Sequence, residues 1–107
     1  MPLKKSKAEY QELFVGLVRL HVLHHAAKEA IFGLGIISEL ARHGYHLGPG
    51  TIYPLLRSME RRGWLETQIK VAGGRRRIHY TATWAGKAAL RSGRERVRKL
   101  FEEMSGT

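Results

Sequence analysis

The spacing of apolar residues changes once along the chain and then changes back, and this constrains the fold more than any other sequence feature. Before Gly63, apolar residues recur every three to four positions, as on a helix. Over residues 65–71 they alternate with polar residues, as on a half-buried strand, and Gly73 and Gly74 then predict a turn into a returning strand. After Thr83, a residue type that favours helix N-termini, helical spacing returns to about residue 104. The pattern predicts helices on both sides of one β-hairpin.

Three helices are predicted before the hairpin, over residues 10–25, 33–42 and about 50–62. The segment between the last two contains three glycines and a proline, so it predicts the turn of a helix-turn-helix. The order helix, helix, helix, strand, strand, helix is typical of a winged helix-turn-helix. The expected fold class is mainly α with a small β-hairpin (α+β), in one domain around a single core.

Positive charge is concentrated in the second half of the chain. The 107 residues contain 19 Lys and Arg against nine acids, a net charge of +10. Residues 1–50 hold six of these bases and four of the acids, whereas residues 51–107 hold thirteen and five. Such an excess predicts a polyanionic partner, most often nucleic acid. The alternative is a basic protein whose charge only keeps it soluble.

Residue types that are missing from the sequence exclude several function classes. There is no Cys, Asp or Asn, and all nine acids are Glu. This excludes disulfides, cysteine-based zinc sites, thiol nucleophiles and catalytic triads oriented by Asp or Asn. There is no phosphate-binding loop either, so we expect no enzymatic activity and no cofactor. No apolar run is long enough to span a membrane and no secretory signal is found, so we expect a cytoplasmic protein without a membrane partner.

The third predicted helix has one apolar face and one face suited to DNA. Ile52, Leu55, Leu56 and Met59 form a narrow apolar stripe, and Pro54 should lie in or next to the first turn, where a missing N–H costs little. The opposite side carries arginines and hydroxyl groups and fits the major groove, where Arg can bind guanine O6 and N7. The alternative is a solvated helix face. The DNA contacts predicted on this helix are Thr51, Tyr53, Pro54, Arg57, Ser58 and Arg61.

The tip of the hairpin is the second candidate site. Two glycines permit a tight turn, and three arginines follow it directly. Neighbouring like charges repel, so fold stability does not favour this run, whereas a phosphate backbone or a narrow minor groove would attract it. The alternative is a charged hairpin edge that prevents aggregation. The DNA contacts predicted on the hairpin are Lys70, Gly74, Arg75, Arg76 and Arg77.

Two segments of the chain resemble signatures of the PadR-like transcriptional regulators. Residues 50–65, GTIYPLLRSMERRGWL, resemble the family's G-T-hydrophobic-Y-P-L-L motif with its later L-E and G-hydrophobic positions. Residues 73–86, which contain GGRRR and YTATWAG, are similar to the family's wing and its junction to the last helix. The resemblance covers about residues 10–104. Two places depart from the pattern: residues 32–34 are FGL where the family has H-G-Y, and Ala82 replaces a leucine.

The resemblance implies a homodimeric repressor that binds a palindromic promoter site in double-stranded DNA, often under the control of a small molecule. It also implies a short family form, whose C-terminal helix completes the dimer with the first helix. We expect a flexible basic arm over residues 1–9, a DNA-binding domain over 10–82 and a dimerisation helix over 83–104. The apolar residues of that helix follow a coiled-coil spacing and have no other core to cover; the alternative is that it folds back on its own domain. The expected dimer contacts are Leu13, Phe14, Leu17, Leu90, Val97, Leu100, Phe101 and Met104.

Other functions fit the same scaffold. His21, His24 and His25 lie at i, i+3 and i+4, and Glu29 extends the row, as in a zinc site; helical histidines are more often structural, so we assign no metal. The large aromatic residues could line an effector pocket or belong to the core, and no effector is identified. A winged-helix module that docks on RNA or protein is the third hypothesis, and comparing duplex DNA with duplex RNA would discriminate it.

Overall fold

The computed structural model describes residues 7–106 of the chain, with side chains from residue 12 onward. These residues form four helices and a three-stranded antiparallel sheet in the order β1-β3-β2. The helices are α1 (Lys7–Lys28), α2 (Gly33–Arg42), α3 (Pro49–Arg61) and α4 (Trp84–Gly106). The strands are β1 (Ile31–Phe32), β2 (Leu65–Ala72) and β3 (Arg75–Ala82). None of the helices in this part of the chain is long and apolar enough to span a membrane.

The predicted fold class and element order are confirmed, with one strand added. β1 was not predicted, because two residues are too few to show an alternating pattern. It pairs antiparallel with β3, placing Ile31 opposite Tyr80 and Phe32 opposite His79. α1 is longer than predicted and already includes residues 7–9, which were expected in a flexible arm. The rest of that arm, residues 1–6, lies outside the described residues.

The core lies where α1, α2 and α3 meet the base of the hairpin. All four residues of the apolar stripe predicted on α3 are buried, as expected. In α2, Gly33, Ile36 and Leu40 are buried, whereas Leu34 is exposed. The side chains that are most completely buried are Val22, Ile36, Leu40, Ile52, Leu56, Met59 and Leu65.

Short hydrogen bonds join α3, the hairpin and α4. Gly63 ends α3 with a φ of +80°, a conformation that favours glycine. The Thr83 hydroxyl accepts a hydrogen bond from the backbone N–H of Gly86 at 3.0 Å, so Thr83 caps α4 as predicted. The same hydroxyl donates to the Gly63 carbonyl at 2.5 Å, and the Thr83 N–H donates to the Trp64 carbonyl at 3.0 Å. These bonds fix the base of the hairpin against both helices.

The hairpin turns at Gly73 and Gly74, as predicted, with φ values of +58° and +76°. Two successive positive φ values are those of the two-residue type I′ turn that glycines favour. The prediction of a half-buried β2 is wrong, because Leu65 is its only buried residue and Ile69 and Val71 are exposed. The alternation of apolar residues is present, but the hairpin extends beyond the core that would cover them.

The first half of α4 packs closely on the rest of the chain through glycines. A Cβ at Gly86 would overlap the backbone carbonyl of Trp64, and a Cβ at Gly93 would overlap the Leu20 side chain of α1. Leu90, between them, is buried in the chain's own core. The expectation that Leu90 has no core of its own to cover is therefore wrong, and the alternative of folding back holds for this half of the helix.

Candidate nucleic-acid interface

The side of α3 that faces away from the core carries most of the predicted contact residues. Pro54, Arg57 and Arg61 are exposed there, and Thr51 and Ser58 are half-buried at its border. Side chains three or four residues apart lie on the same face of a helix, so these residues form one continuous surface. We call these five residues the outer stripe of α3.

Tyr53 does not join the outer stripe, and its predicted DNA contact stays a prediction. Its half-buried ring packs against the core and covers the N-terminal end of α2. A Cβ at Gly33 would overlap the ring and would lie 2.6 Å from the phenol oxygen. The absence of a side chain at Gly33 is therefore what lets Tyr53 fix α3 against α2. Helical spacing alone could not reveal this, because a ring at the edge of a face can turn toward either side.

The two prolines of α3 occupy different positions. Pro49 is the first residue of the helix, where the missing N–H would have no helical partner in any case. Pro54 is the sixth residue, so the prediction that it lies in or next to the first turn is wrong. Proline has no N–H to offer the carbonyl four residues earlier, which belongs to the exposed Gly50. That carbonyl therefore lacks the usual backbone donor four residues later in the helix.

The register of the hairpin divides its basic residues between two faces. Lys70 lies opposite Arg77, and Val71 lies opposite Arg76. Side chains alternate along a strand, so Arg75 shares a face with Arg77 and Lys70, while Arg76 lies on the other face. The run of three arginines therefore does not form a single cluster.

Arg77 also differs from its two neighbours in being held within the chain. Its guanidinium carbon lies 4.5 Å from the centre of the Phe32 ring of β1, a cation–π contact. Arg75 and Arg76 lie beside the glycine turn, and we call these two residues the wing tip. Because β1 was not predicted, the partner of Arg77 could not be predicted either.

The arginines of the outer stripe and of the wing tip form no ion pair with any side chain that the structure describes. Other cations are paired: Arg98 on α4 lies 2.6 Å from Glu102 and also pairs with Glu95. The hydrogen bond from Arg98 lowers the pKa of Glu95 below its usual value. Positive charge is thus left unneutralised on α3 and on the hairpin while it is partly neutralised on α4.

A side-chain hydrogen bond attaches the hairpin to the end of α3. Thr67 of β2 donates to the Glu60 carboxylate at 3.1 Å. Behind it, burial raises the pKa of the Tyr80 hydroxyl, and the nearby negative charge of Glu60 raises it further. The acid of α3 is therefore engaged with the hairpin. This bond was not predicted, because nothing in the spacing of the two residues indicates that they meet.

The apolar residues predicted as dimer contacts lie mostly on exposed surfaces. On α1, Leu13 is 70% exposed, and Phe14 and Leu17 are each more than one-third exposed. On α4, Phe101 and Met104 are 64% and 69% exposed. Val97 and Leu100 share that exposed face of α4. Leu90 is the exception, since it lies in the core.

Comparison with known proteins decides the family. Residues 22–92, more than half of the chain, match the PadR-like family of transcriptional regulators. The chain belongs to this family. The PadR-like chain is also 46% identical over 89 residues to transcriptional regulator Rv3488 of Mycobacterium tuberculosis, an alignment that covers 83% of each protein. It is a transcriptional regulator and not an enzyme, as predicted.

Solved structures share the fold of this PadR-like chain. A PadR family transcriptional regulator from Eggerthella lenta is 27% identical with a TM-score of 0.78, over 92% of this chain and 88% of that one. A PadR-like transcriptional regulator from Bacillus cereus has a TM-score of 0.81 at 23% identity, over 89% of this chain and 94% of that one. The predicted membership of the PadR-like family is confirmed by the family match over residues 22–92.

Proposed function

We propose that this PadR-like regulator is a cytoplasmic homodimer that represses transcription by binding a palindromic promoter site in double-stranded DNA. The outer stripe of α3 carries this proposal, because Arg57 and Arg61 project from it without acidic partners among the described side chains. A helix surface of this kind fits the major groove, where an arginine can donate two hydrogen bonds to one guanine. Thr51 and Ser58 at the border carry hydroxyl groups that can hydrogen-bond bases or phosphates.

The wing tip supplies a second point of contact. Arg75 and Arg76 lie beside a turn whose positive φ values favour glycine. Because glycine has no side chain, the backbone of the turn can approach DNA closely. Their charges are suited to the flanking phosphate backbone or to a narrow minor groove, and Lys70 adds charge further down the hairpin. Contacts of this kind position a protein on DNA and raise its affinity without reading much sequence.

A second copy of the chain is the partner that suits the exposed apolar faces of α1 and α4. The C-terminal half of α4 carries one apolar stripe with the spacing i, i+3, i+4 and i+7, formed by Val97, Leu100, Phe101 and Met104. A long apolar stripe without a partner is uncommon on a monomer, and a two-fold interface uses the same surface on both copies. Two α3 helices related in this way would enter major grooves about one helical turn apart, roughly 10–10.5 bp or a multiple of it.

Selection of binding sites from a library of random DNA duplexes tests the proposal and identifies the preferred site in the same experiment. We expect enrichment of an inverted repeat whose half-sites are about one helical turn, or a whole number of turns, apart. Duplex RNA of the selected sequence serves as the comparison, because its deep and narrow major groove excludes a helix. Enrichment of no motif, or equal affinity for the RNA duplex, would contradict the proposal.

A further inference from the structure

Three histidines meet between α1 and the C-terminal end of α2. His21 and His25 lie one turn apart on α1, and His43 is the C-cap residue of α2. Ring nitrogens from the three side chains all lie within 4.8 Å of one another. Among the described residues, this is the one group of three or more potential metal-ligating side chains. None of the three belongs to the outer stripe or to the wing tip.

This cluster differs from the row of candidate ligands in the sequence. That row placed His24 and Glu29 beside His21 and His25, all on one helix, and it supported no metal assignment. In the structure the third imidazole comes instead from His43, because the end of α2 packs against α1. Two histidines at i and i+4 supply only half of a tetrahedral shell, so a ligand from a second element changes the chemistry that is available.

Aromatic rings pack around His21 within the cluster. The rings of His21 and His43 are 4.9 Å apart, and the Tyr45 ring packs against His21 at 5.3 Å. His43 is exposed, which leaves one side of the cluster open to solvent.

A carboxylate lies next to the cluster. One Glu39 oxygen is 3.3 Å from Nε2 of His43, one turn earlier on α2. Metal-binding histidines are commonly hydrogen-bonded to a carboxylate, which orients the ring and increases its basicity. Glu39 and His25 also line a surface groove of about 200 Å³, together with residues of β1 and α2. Glu39 therefore gives an ion bound by the cluster a negatively charged neighbour.

We propose that His21, His25 and His43 bind one divalent transition-metal ion, with zinc as the type ion and with the fourth position open to solvent or to Glu39. Imidazole nitrogens suit Zn²⁺, Ni²⁺, Cu²⁺ and Co²⁺, whereas Mg²⁺ and Ca²⁺ require oxygen ligands. Zinc–nitrogen bonds of about 2.0–2.1 Å place the nitrogens of a tetrahedral site roughly 3.3 Å apart. The observed nitrogens all lie within 4.8 Å of one another, so binding requires the three imidazoles to move closer together.

Such an ion would link two parts of the molecule that the proposed function uses separately. α1 carries part of the exposed apolar surface, and His43 lies immediately before the turn that leads to α3. A bound metal ion would therefore join α1 to the segment that leads into α3. The inference goes beyond the proposed function, since metal binding by the cluster does not depend on whether the protein binds DNA.

The test is a Zn²⁺ titration of the untagged full-length protein against a chromophoric chelator, without DNA. His43→Gln and His21→Gln are compared with His46→Gln, which removes an exposed histidine of the same turn that is outside the cluster. We expect wild type and His46→Gln to bind one Zn²⁺ per chain, and the two cluster variants to bind at least about tenfold more weakly. Because no DNA is present, failure here is distinguishable from failure of the proposed function.

A second readout separates loss of ligands from loss of fold. Co²⁺ bound by three imidazoles absorbs visible light more strongly than the hydrated ion, so wild type and His46→Gln should develop that absorption and His43→Gln should not. Thermal unfolding in a chelator should be the same for His43→Gln and wild type, because His43 is exposed. Added Zn²⁺ should raise the unfolding midpoint of wild type and of His46→Gln but not that of His43→Gln. If His43→Gln bound Zn²⁺ as tightly as His46→Gln, or if wild type bound none, the proposed site would be wrong.

Discussion

At the scale of single residues, consecutive arginines of β3 have different environments, and we expect them to contribute differently to DNA binding. Arg77 rests on the Phe32 ring, so its guanidinium is oriented before any partner arrives. Arg75 and Arg76 are exposed beside the turn and point to opposite faces of the hairpin. Arg57, by contrast, projects from the rigid backbone of a helix. We therefore expect Arg57 to act through fixed geometry and the wing tip to act mainly through charge.

Replacing Arg57 with alanine should weaken binding to the selected site by about 1–3 kcal/mol and relax the preference at one base position. Replacing Arg76 with alanine should instead weaken all duplexes evenly and reduce the salt dependence by about one charge. Fluorescence anisotropy titrations of both variants, on the selected and on shuffled duplexes at several salt concentrations, measure the difference.

Arg91→Ala is the matched control for this pair. It removes the same charge from an exposed position on α4, outside both proposed contact surfaces. We expect its affinities to stay close to those of wild type on both duplexes. Equal losses for Arg57→Ala and Arg76→Ala on selected and shuffled DNA would refute the division of roles between α3 and the wing.

At the scale of elements, the packing of α4 against the rest of the chain depends on contacts made in its first three turns. Alanine favours helices over glycine by about 1 kcal/mol, yet a Cβ at Gly86 would overlap the backbone carbonyl of Trp64. We expect Gly86→Ala to lower the free energy of unfolding by about 1–3 kcal/mol. Gly93→Ala should cost less, because the flexible Leu20 side chain can move aside. Chemical denaturation at one fixed protein concentration gives the order, and a larger loss at Gly93 would contradict this account.

The cap of α4 provides a second prediction at this scale. Thr83→Ala removes the hydroxyl that accepts from the Gly86 N–H and donates to the Gly63 carbonyl, so we expect a loss of about 1–2 kcal/mol in the free energy of unfolding. Thr83→Ser keeps both hydrogen bonds and should remain close to wild type. Should serine prove as destabilising as alanine, the hydroxyl would not be the source of the effect.

Elements whose signals lie within their own residues could be predicted from the sequence. The apolar stripe of α3, the cap at Thr83 and the turn at Gly73 and Gly74 each depend on local spacing or local conformation. β1 could not be predicted, because a two-residue strand exists only through its pairing with β3. The burial of Ile69 and Val71 was predicted wrongly for a related reason, since alternation shows that residues share a face but not what covers it.

For the candidate site too, some features could be predicted from local sequence and others could not. Arg57 and Arg61 could be placed on the outer stripe because helical spacing determines which residues lie opposite the core. The position of Tyr53 depended on the missing side chain at Gly33, a contact between two helices. The meeting of His43 with α1 likewise required the packing of α2. Contacts between elements, unlike faces within an element, are not encoded in any one stretch of sequence.

For the molecule as a whole, the exposed apolar stripe of α4 is central to the proposed dimer. Phe101→Glu places a charge in the middle of that stripe and should convert the dimer to a monomer, because burying an unpaired carboxylate is costly. Lys99→Glu is the control, since it introduces the same residue about 200° around the same helix. Light scattering coupled to size-exclusion chromatography gives the mass. A dimer that survives Phe101→Glu would place the interface elsewhere.

Specific DNA binding is the central claim, and one titration tests it most directly. Fluorescence anisotropy compares the affinity of the full-length protein for its selected inverted repeat with that for a shuffled duplex, at low and at physiological salt. We predict a preference of at least about 10³ for the repeat that persists at physiological salt. Equal affinity for the two duplexes, disappearing as salt is added, would mean that only the positive charge binds DNA and that α3 reads no sequence.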